Sequence, residues 1–137
     1  MSTALIQKGE AWSQVPCAAS ANFVANAPVF FDANGRAEDD YATGLRYAGT
    51  SARDVDNSSG AAAAVSVPVV PVNDNPGTSN RFLQVTLTGA ALADQGAKVY
   101  WTSSVAVTKT AGSDTEAGII WRYVKANTVI IDTMRFA

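Results

Sequence analysis

The sequence predicts an all-β fold, an antiparallel β-sandwich or a jelly-roll-like barrel, and three observations carry that expectation. Among the branched aliphatics, 15 Val and 5 Ile stand against only 5 Leu, and β-branched side chains suit a pleated, half-buried surface. The 12 Thr and 11 Ser fit the solvated faces of strands and the connections between them. Residues 81–88 alternate strictly, with Leu83, Val85 and Leu87 on one face and Gln84, Thr86 and Thr88 on the other. That period belongs to a half-buried antiparallel strand.

The elements can be taken in chain order. Residues 1–20 show neither sustained alternation nor helical periodicity and read as an irregular N-terminal arm anchored by Trp12. Val29-Phe30-Phe31 leads into Asp32-Ala33-Asn34-Gly35, and an Asn-Gly pair is a strong hairpin signal because both residues tolerate positive φ. Residues 61–72 carry four alanines, yet Pro68 and Pro71 lie in their most apolar part, where a helix would lose hydrogen bonds. The expectation is a strand, with the prolines confining residues 67–72 to an edge or a kink. Residues 73–80 hold only turn formers and read as a surface loop. Lys98-Val99-Tyr100-Trp101 and residues 105–109 flank Thr102-Ser103-Ser104 as a second hairpin, and residues 119–124 and 128–136 read as two more strands that end the chain.

Two of these segments recur. Val29-Phe30-Phe31 matches Val99-Tyr100-Trp101 at an offset of 70, and Ala48-Gly49 with Arg53 and Val55 matches Ala117-Gly118 with Arg122 and Val124 at an offset of 69. Two near-equal offsets suggest two similar β units, packed face to face or closed into a barrel. The domain expected is a single one over residues 1–137: the arm, a first β unit over 27–72, the loop 73–80, and a linking strand with a second β unit over 81–137.

Composition narrows the chemistry. The 137 residues carry no His, one Cys and a net charge of −2. One core is the expectation at this length, and without His the usual general base and transition-metal ligand are missing. Neither a Gly-x-Ser-x-Gly elbow, nor a Gly-rich phosphate loop, nor a distinguished pair among the three glutamates is present, so no catalytic residue, metal or cofactor is expected. Four Lys and six Arg are scattered singly, which speaks against a nucleic-acid partner. No export signal and no apolar run long enough for a membrane span is seen. Cys17 is expected to be a buried thiol. Asp32 with Glu38-Asp39-Asp40, and Asp54 with Asp56, lack the spacing of a calcium loop and read as solvated turn flanks. The aromatics Tyr100, Trp101, Trp121 and Tyr123 are expected to be core, except that Tyr100 and Trp101 point oppositely on a strand, so one of them becomes an interface candidate.

The run Asp94-Gln95-Gly96-Ala97-Lys98-Val99-Tyr100-Trp101, then Val105-Ala106-Val107-Thr108-Lys109-Thr110 and Ala117-Gly118-Ile119-Ile120, resembles the small capsid decoration proteins of tailed bacteriophages, the cement or head fibre type. The resemblance covers residues 94–136; Pro28-Val29 and Gly44 to Gly49 match more loosely. It implies a structural virion protein, made in the host cytoplasm, that binds the outer capsid surface and clamps neighbouring major capsid protein subunits, as a homodimer or homotrimer. The contact residues expected on this reading are Trp12, Val67, Pro68, Val70, Pro71, Asn73, Asp74, Asn75, Tyr100 and Trp101, with the proline-bearing strand offering an edge to another chain. The alternatives are a carbohydrate- or receptor-binding β-sandwich, and another virion subunit of the tail tube or head completion.

Overall fold

The computed structural model describes residues 13–75 and 79–135. As expected, these are all-β. The strands are β1 (Ser13–Pro16), β2 (Asn22–Phe23), β3 (Pro28–Phe31), β4 (Ala37–Glu38), β5 (Arg46–Ser51), β6 (Val55–Asp56), β7 (Ser66–Pro71), β8 (Phe82–Thr86), β9 (Lys98–Ser103), β10 (Ala106–Thr108), β11 (Glu116–Lys125) and β12 (Thr128–Asp132). The helical content described is one 3-10 turn, Leu92–Asp94.

Two units follow one another. The first is a sheet in the order β1-β7-β5-β3-β4, and the second is a closed barrel, β10-β8-β12-β11-β9. Their strands correspond one to one in pairing and direction. β1 and β8, β3 and β9, β4 and β10, β5 and β11, β7 and β12 hold the same places. The register repeats too: Val29↔Gly49 reappears as Val99↔Gly118, Phe31↔Ala37 as Trp101↔Val107, and Ser51↔Val69 as Ile120↔Ile131. The barrel closes through a parallel contact, Ala106↔Thr86, and the first unit makes the matching parallel contact, Cys17↔Ala37. The short ribbon of β2 and β6 is an addition of the first unit.

The repeat explains the paired Ala-Gly. Gly49 has φ +138° and Gly118 +141°, and a Cβ there would lie 2.0 Å from the Val70 carbonyl oxygen and 2.1 Å from that of Asp132. Both sites need a residue without Cβ, because the neighbouring strand passes too close.

Several boundaries differ from expectation. Within the described part of the expected arm, residues 13–20, Ser13–Pro16 is a strand paired with β7, which a single apolar pair, Val15-Pro16, was too short to signal. Trp12 lies outside the described residues. Residues 61–65 turn before the strand begins at Ser66, and the last strand ends at Asp132 rather than running to 136. The first hairpin turns at 32–36, where Asp32 Oδ1 accepts from the backbone N–H of Asn34 (2.8 Å) and Arg36 (2.9 Å); Gly35 takes a positive φ and Asn34 does not.

The proline-bearing strand is not an edge. β7 pairs with β1 on one side and β5 on the other. Ala52 N donates to the Pro68 carbonyl, so the missing N–H of Pro68 faces that partner just past Ser51, the last residue of β5. Pro71 lies two residues past Val69, the last described pairing to β1. Pro68 thus sits where β5 has ended on its N side, which lets an interior strand carry it.

Two cores result. Val15, Cys17, Phe23, Val29, Ala37, Val67 and Val69 fill the first unit, and Val85, Leu87, Val99, Trp101, Val107, Ile120, Val129 and Ile131 the second. Phe30 and Tyr41 belong to the second cluster although they come from the first unit. Across the seam Phe30 meets Trp101 edge-on at 5.1 Å and Tyr47 lies 5.6 Å from Trp101, while Tyr41 supports Phe30 from within the first unit at 5.7 Å. The seam is therefore an aromatic core shared by both units.

Candidate interaction surface

The short connection between the units is a double anchor. Asn80, buried, donates from Nδ2 to Val70 O (2.9 Å) and Thr50 Oγ1 (3.1 Å) in the first unit, and its Oδ1 accepts from Asn73 N. Its neighbour Arg81 turns the other way. Arg81 Nε and Nη2 each donate to a different oxygen of Asp132 at 2.7 Å, and Thr133 Oγ1 donates to the Arg81 carbonyl. The Asp132 side chain is only 2% exposed. Hydrogen bonds from Arg81, joined by one from Met134 N, hold its carboxyl below the usual carboxylate range against the opposing effect of burial. Tyr47 Oη adds a bond to Asn80 O, and burial pushes that phenol up. Adjacent residues of one loop are thus fastened to opposite units.

The anchor sets the edge of an exposed aromatic face. On the outside of the β8-β12-β11 part of the barrel, Trp121 is 54% exposed and Phe82 40% exposed, with ring centroids 5.9 Å apart. The Arg81 guanidinium stacks on Phe82 at 4.9 Å. Gln84, Thr86 and Arg122 are exposed on the same strands, and Ile130 is half-buried between them. Trp121 was expected in the core; its neighbour Ile120 points into the barrel, so the indole points out, and the register shift between Ile120 and Arg122 leaves Arg122 exposed beside it.

Two concavities accompany this face. One of about 570 Å³ lies at the first hairpin, lined by Phe31, Asp32, Ala33, Gly35, Gly44 and Arg46. The other, about 660 Å³, runs along the seam between Arg46, Tyr47 and Val72 of the first unit and Glu116 and Met134 of the second.

The acidic residues are occupied by the chain's own backbone. Asp39 accepts from Asn22 N, Asp40 from Tyr41 N and Ser104 N, Asp54 from Ala25 N, and Asp56 from Ser58 N. Asp56 closes an Asx turn onto Ser58, while Asp39, Asp54 and Asp40 tie segments 17, 29 and 64 residues apart. Among the described residues no group of three or more His, Cys, Asp or Glu could hold a metal ion, and no helix is long and apolar enough to cross a membrane.

The residues singled out from sequence scatter. Val67 and Trp101 are fully buried, and Pro68 is buried with them; none of the three is placed to meet a partner, because a central strand and a barrel interior hold them. Tyr100 and Val70 are half-buried, and Pro71, Asp74 and Asn75 exposed. Asp74 pairs with Arg81 Nη1 at 3.1 Å. Asn73 closes its loop by accepting from Asn80 N and Arg81 N. Sequence reasoning missed Phe82 and Arg81. The alternation of residues 81–88 already put Phe82 opposite Leu83, and an outward Phe was the available signal. Compared with protein-family models, curated proteins and solved structures, the chain matches none.

Proposed function

We propose that this chain is a structural virion protein that binds the outer surface of a phage capsid, stabilises contacts between major capsid protein subunits, and acts without catalysis as a homo-oligomer. The observation that carries the binding reading is the exposed Trp121–Phe82 pair on a closed barrel face. Large aromatics with a stacked arginine are the side chains that dominate protein interfaces, and here they stand on paired strands rather than on loops, so docking orders little that is not already ordered. The capsid as partner rests on the resemblance of residues 94–136 to decoration proteins. The interior position of Trp101, Val67 and Pro68 moves the proposed contact from those residues to Trp121 and Phe82.

The test is co-sedimentation with capsids built from the major capsid protein encoded beside this chain's gene. Saturable binding that raises capsid resistance to heat or chelation, and that weakens on Trp121→Ala with the fold intact, supports the reading. Absence of binding to such capsids overturns it. An exposed indole also stacks on pyranose rings, which favours a carbohydrate-binding module as the second reading. The 50° tilt between Phe82 and Trp121 makes a wedge rather than a flat platform, and glycan-array binding lost on Trp121→Ala would reverse that preference.

A further inference from the structure

We infer that the chain associates with itself head to tail, the Trp121 face of one copy entering the first-hairpin cavity of the next. This deepens the self-association within the proposed function and rests on that part of it, not on capsid binding. Shape is the first argument. Trp121 and Phe82 project from the second unit, and the cavity at the first hairpin has a half-exposed Phe31 and Arg46 among its lining residues. Nothing lies within 4 Å of where a Cβ would stand on Gly35 or Gly44, so the rim is open. An indole placed there would meet the Phe31 ring and the Arg46 guanidinium, an apolar and a cation–π contact together.

Charge is the second argument. Residues 1–72 hold seven acidic against four basic side chains, and residues 73–137 hold five against six, so the first unit is negative and the second slightly positive. The charges beside the two features are complementary. Arg122 and Lys125, on the strand that carries Trp121, make no ion pair among the described residues. Asp32 lines the cavity wall with Arg46, and Glu38, in β4 just past the hairpin and outside that lining, is pushed up by desolvation and then by the fields of Asp39 and Asp32. That crowding of like charge is relieved by an incoming cation. Head-to-head and tail-to-tail pairings would oppose like charges, so the electrostatics select one polarity.

Fold is the third. The seam faces of β3 and β9 are already spent on each other within the chain through Phe30 and Trp101. A further copy therefore meets surfaces outside that seam, and a contact between unlike surfaces is heterologous, which closes as a ring or extends as a chain.

Sedimentation velocity on the full chain tests this. The expected result is concentration-dependent assembly that weakens in about 0.5 M salt. Trp121→Ala, Arg122→Glu and, on the opposite surface, Ala33→Trp or Glu38→Lys should each raise the dissociation constant about 30-fold, with wild-type melting confirming the fold. A mixture of Trp121→Ala with Ala33→Trp keeps one good surface on each partner and should stop at a one-to-one dimer. Assembly insensitive to these substitutions overturns the contact and leaves self-association standing. A wild-type chain that stays monomeric at all concentrations overturns both. Loss of capsid binding on Trp121→Ala with assembly intact assigns the face to the coat protein and overturns the proposal.

Discussion

Gly49 and Gly118 are the same residue in two copies of one motif: each sits opposite a valine, Val29 or Val99, and each lies under a carbonyl of the following strand, at Val70 or Asp132. Both have φ near +140°, where L side chains are strained, and both lack room for a methyl group. Replacing either by Ala should therefore cost about 3 kcal/mol, read as a lowered midpoint in urea unfolding. A change within about 0.5 kcal/mol, the range of ordinary surface substitutions, would mean the strands can separate freely at that point.

Arg81 and Asp132 form the pair that fastens the connection to the barrel. Removing the guanidinium with Arg81→Leu leaves a carboxylate that is 2% exposed without its main partner, and about 3 kcal/mol of stability should be lost. Arg81→Leu with Asp132→Leu should recover part of that loss, a coupling that a double-mutant cycle measures.

The same pair sets an acid limb. Asp132 titrates lower folded than unfolded, chiefly through the Arg81 hydrogen bonds. Its contribution is complete above the unfolded carboxylate range of about 4 and disappears as pH falls through the folded value. Stability measured from pH 6 downward to about 2 should fall less steeply in Asp132→Asn than in the wild type, since that variant has no carboxyl to protonate at the site.

Phe30 joins the two cores, so the units should unfold together. Calorimetry should show one transition for the wild type. Phe30→Ala should remove about 3–5 kcal/mol and broaden or split that transition. Two separate wild-type transitions would show the seam to be too weak to couple the units.

Cys17 is fully buried and its thiol is pushed up by desolvation. Thiolate is the reactive form, so a disulfide reagent should label the native chain at least about 100-fold more slowly than the urea-unfolded chain, with labelling governed by opening of the first unit. Labelling at equal rates would place Cys17 at an accessible site.

The sequence by itself determined the strand class, the two hairpins, the alternating face of residues 81–88 and the repeat, since each is written along the chain: β-branched bias, turn formers, period two, and an Ala-Gly pair that recurs at an offset of 69. Asp32 and Asp56 were legible for the same reason, because their Asx hydrogen bonds reach only 2 to 4 residues along the chain, whereas Asp39, Asp40 and Asp54 tie distant segments. Tertiary structure decided what depends on distant partners. Pro68 and Pro71 read as edge residues, yet β7 pairs on both sides, and Pro68 fits there because β5 ends beside it. Trp101 read as an interface residue until Phe30 and Tyr47 of the other unit closed over it, and Trp121 as core until its neighbour Ile120 took the inward position. The candidate surface owes its aromatic pair to strands β8 and β11, which pair with opposite sides of β12, and its stacked arginine to a buried carboxylate 51 residues further along. A local pattern states which face of a strand is apolar; which strand lies beside it, and so whether that face is covered, is settled only when the sheet and the barrel assemble.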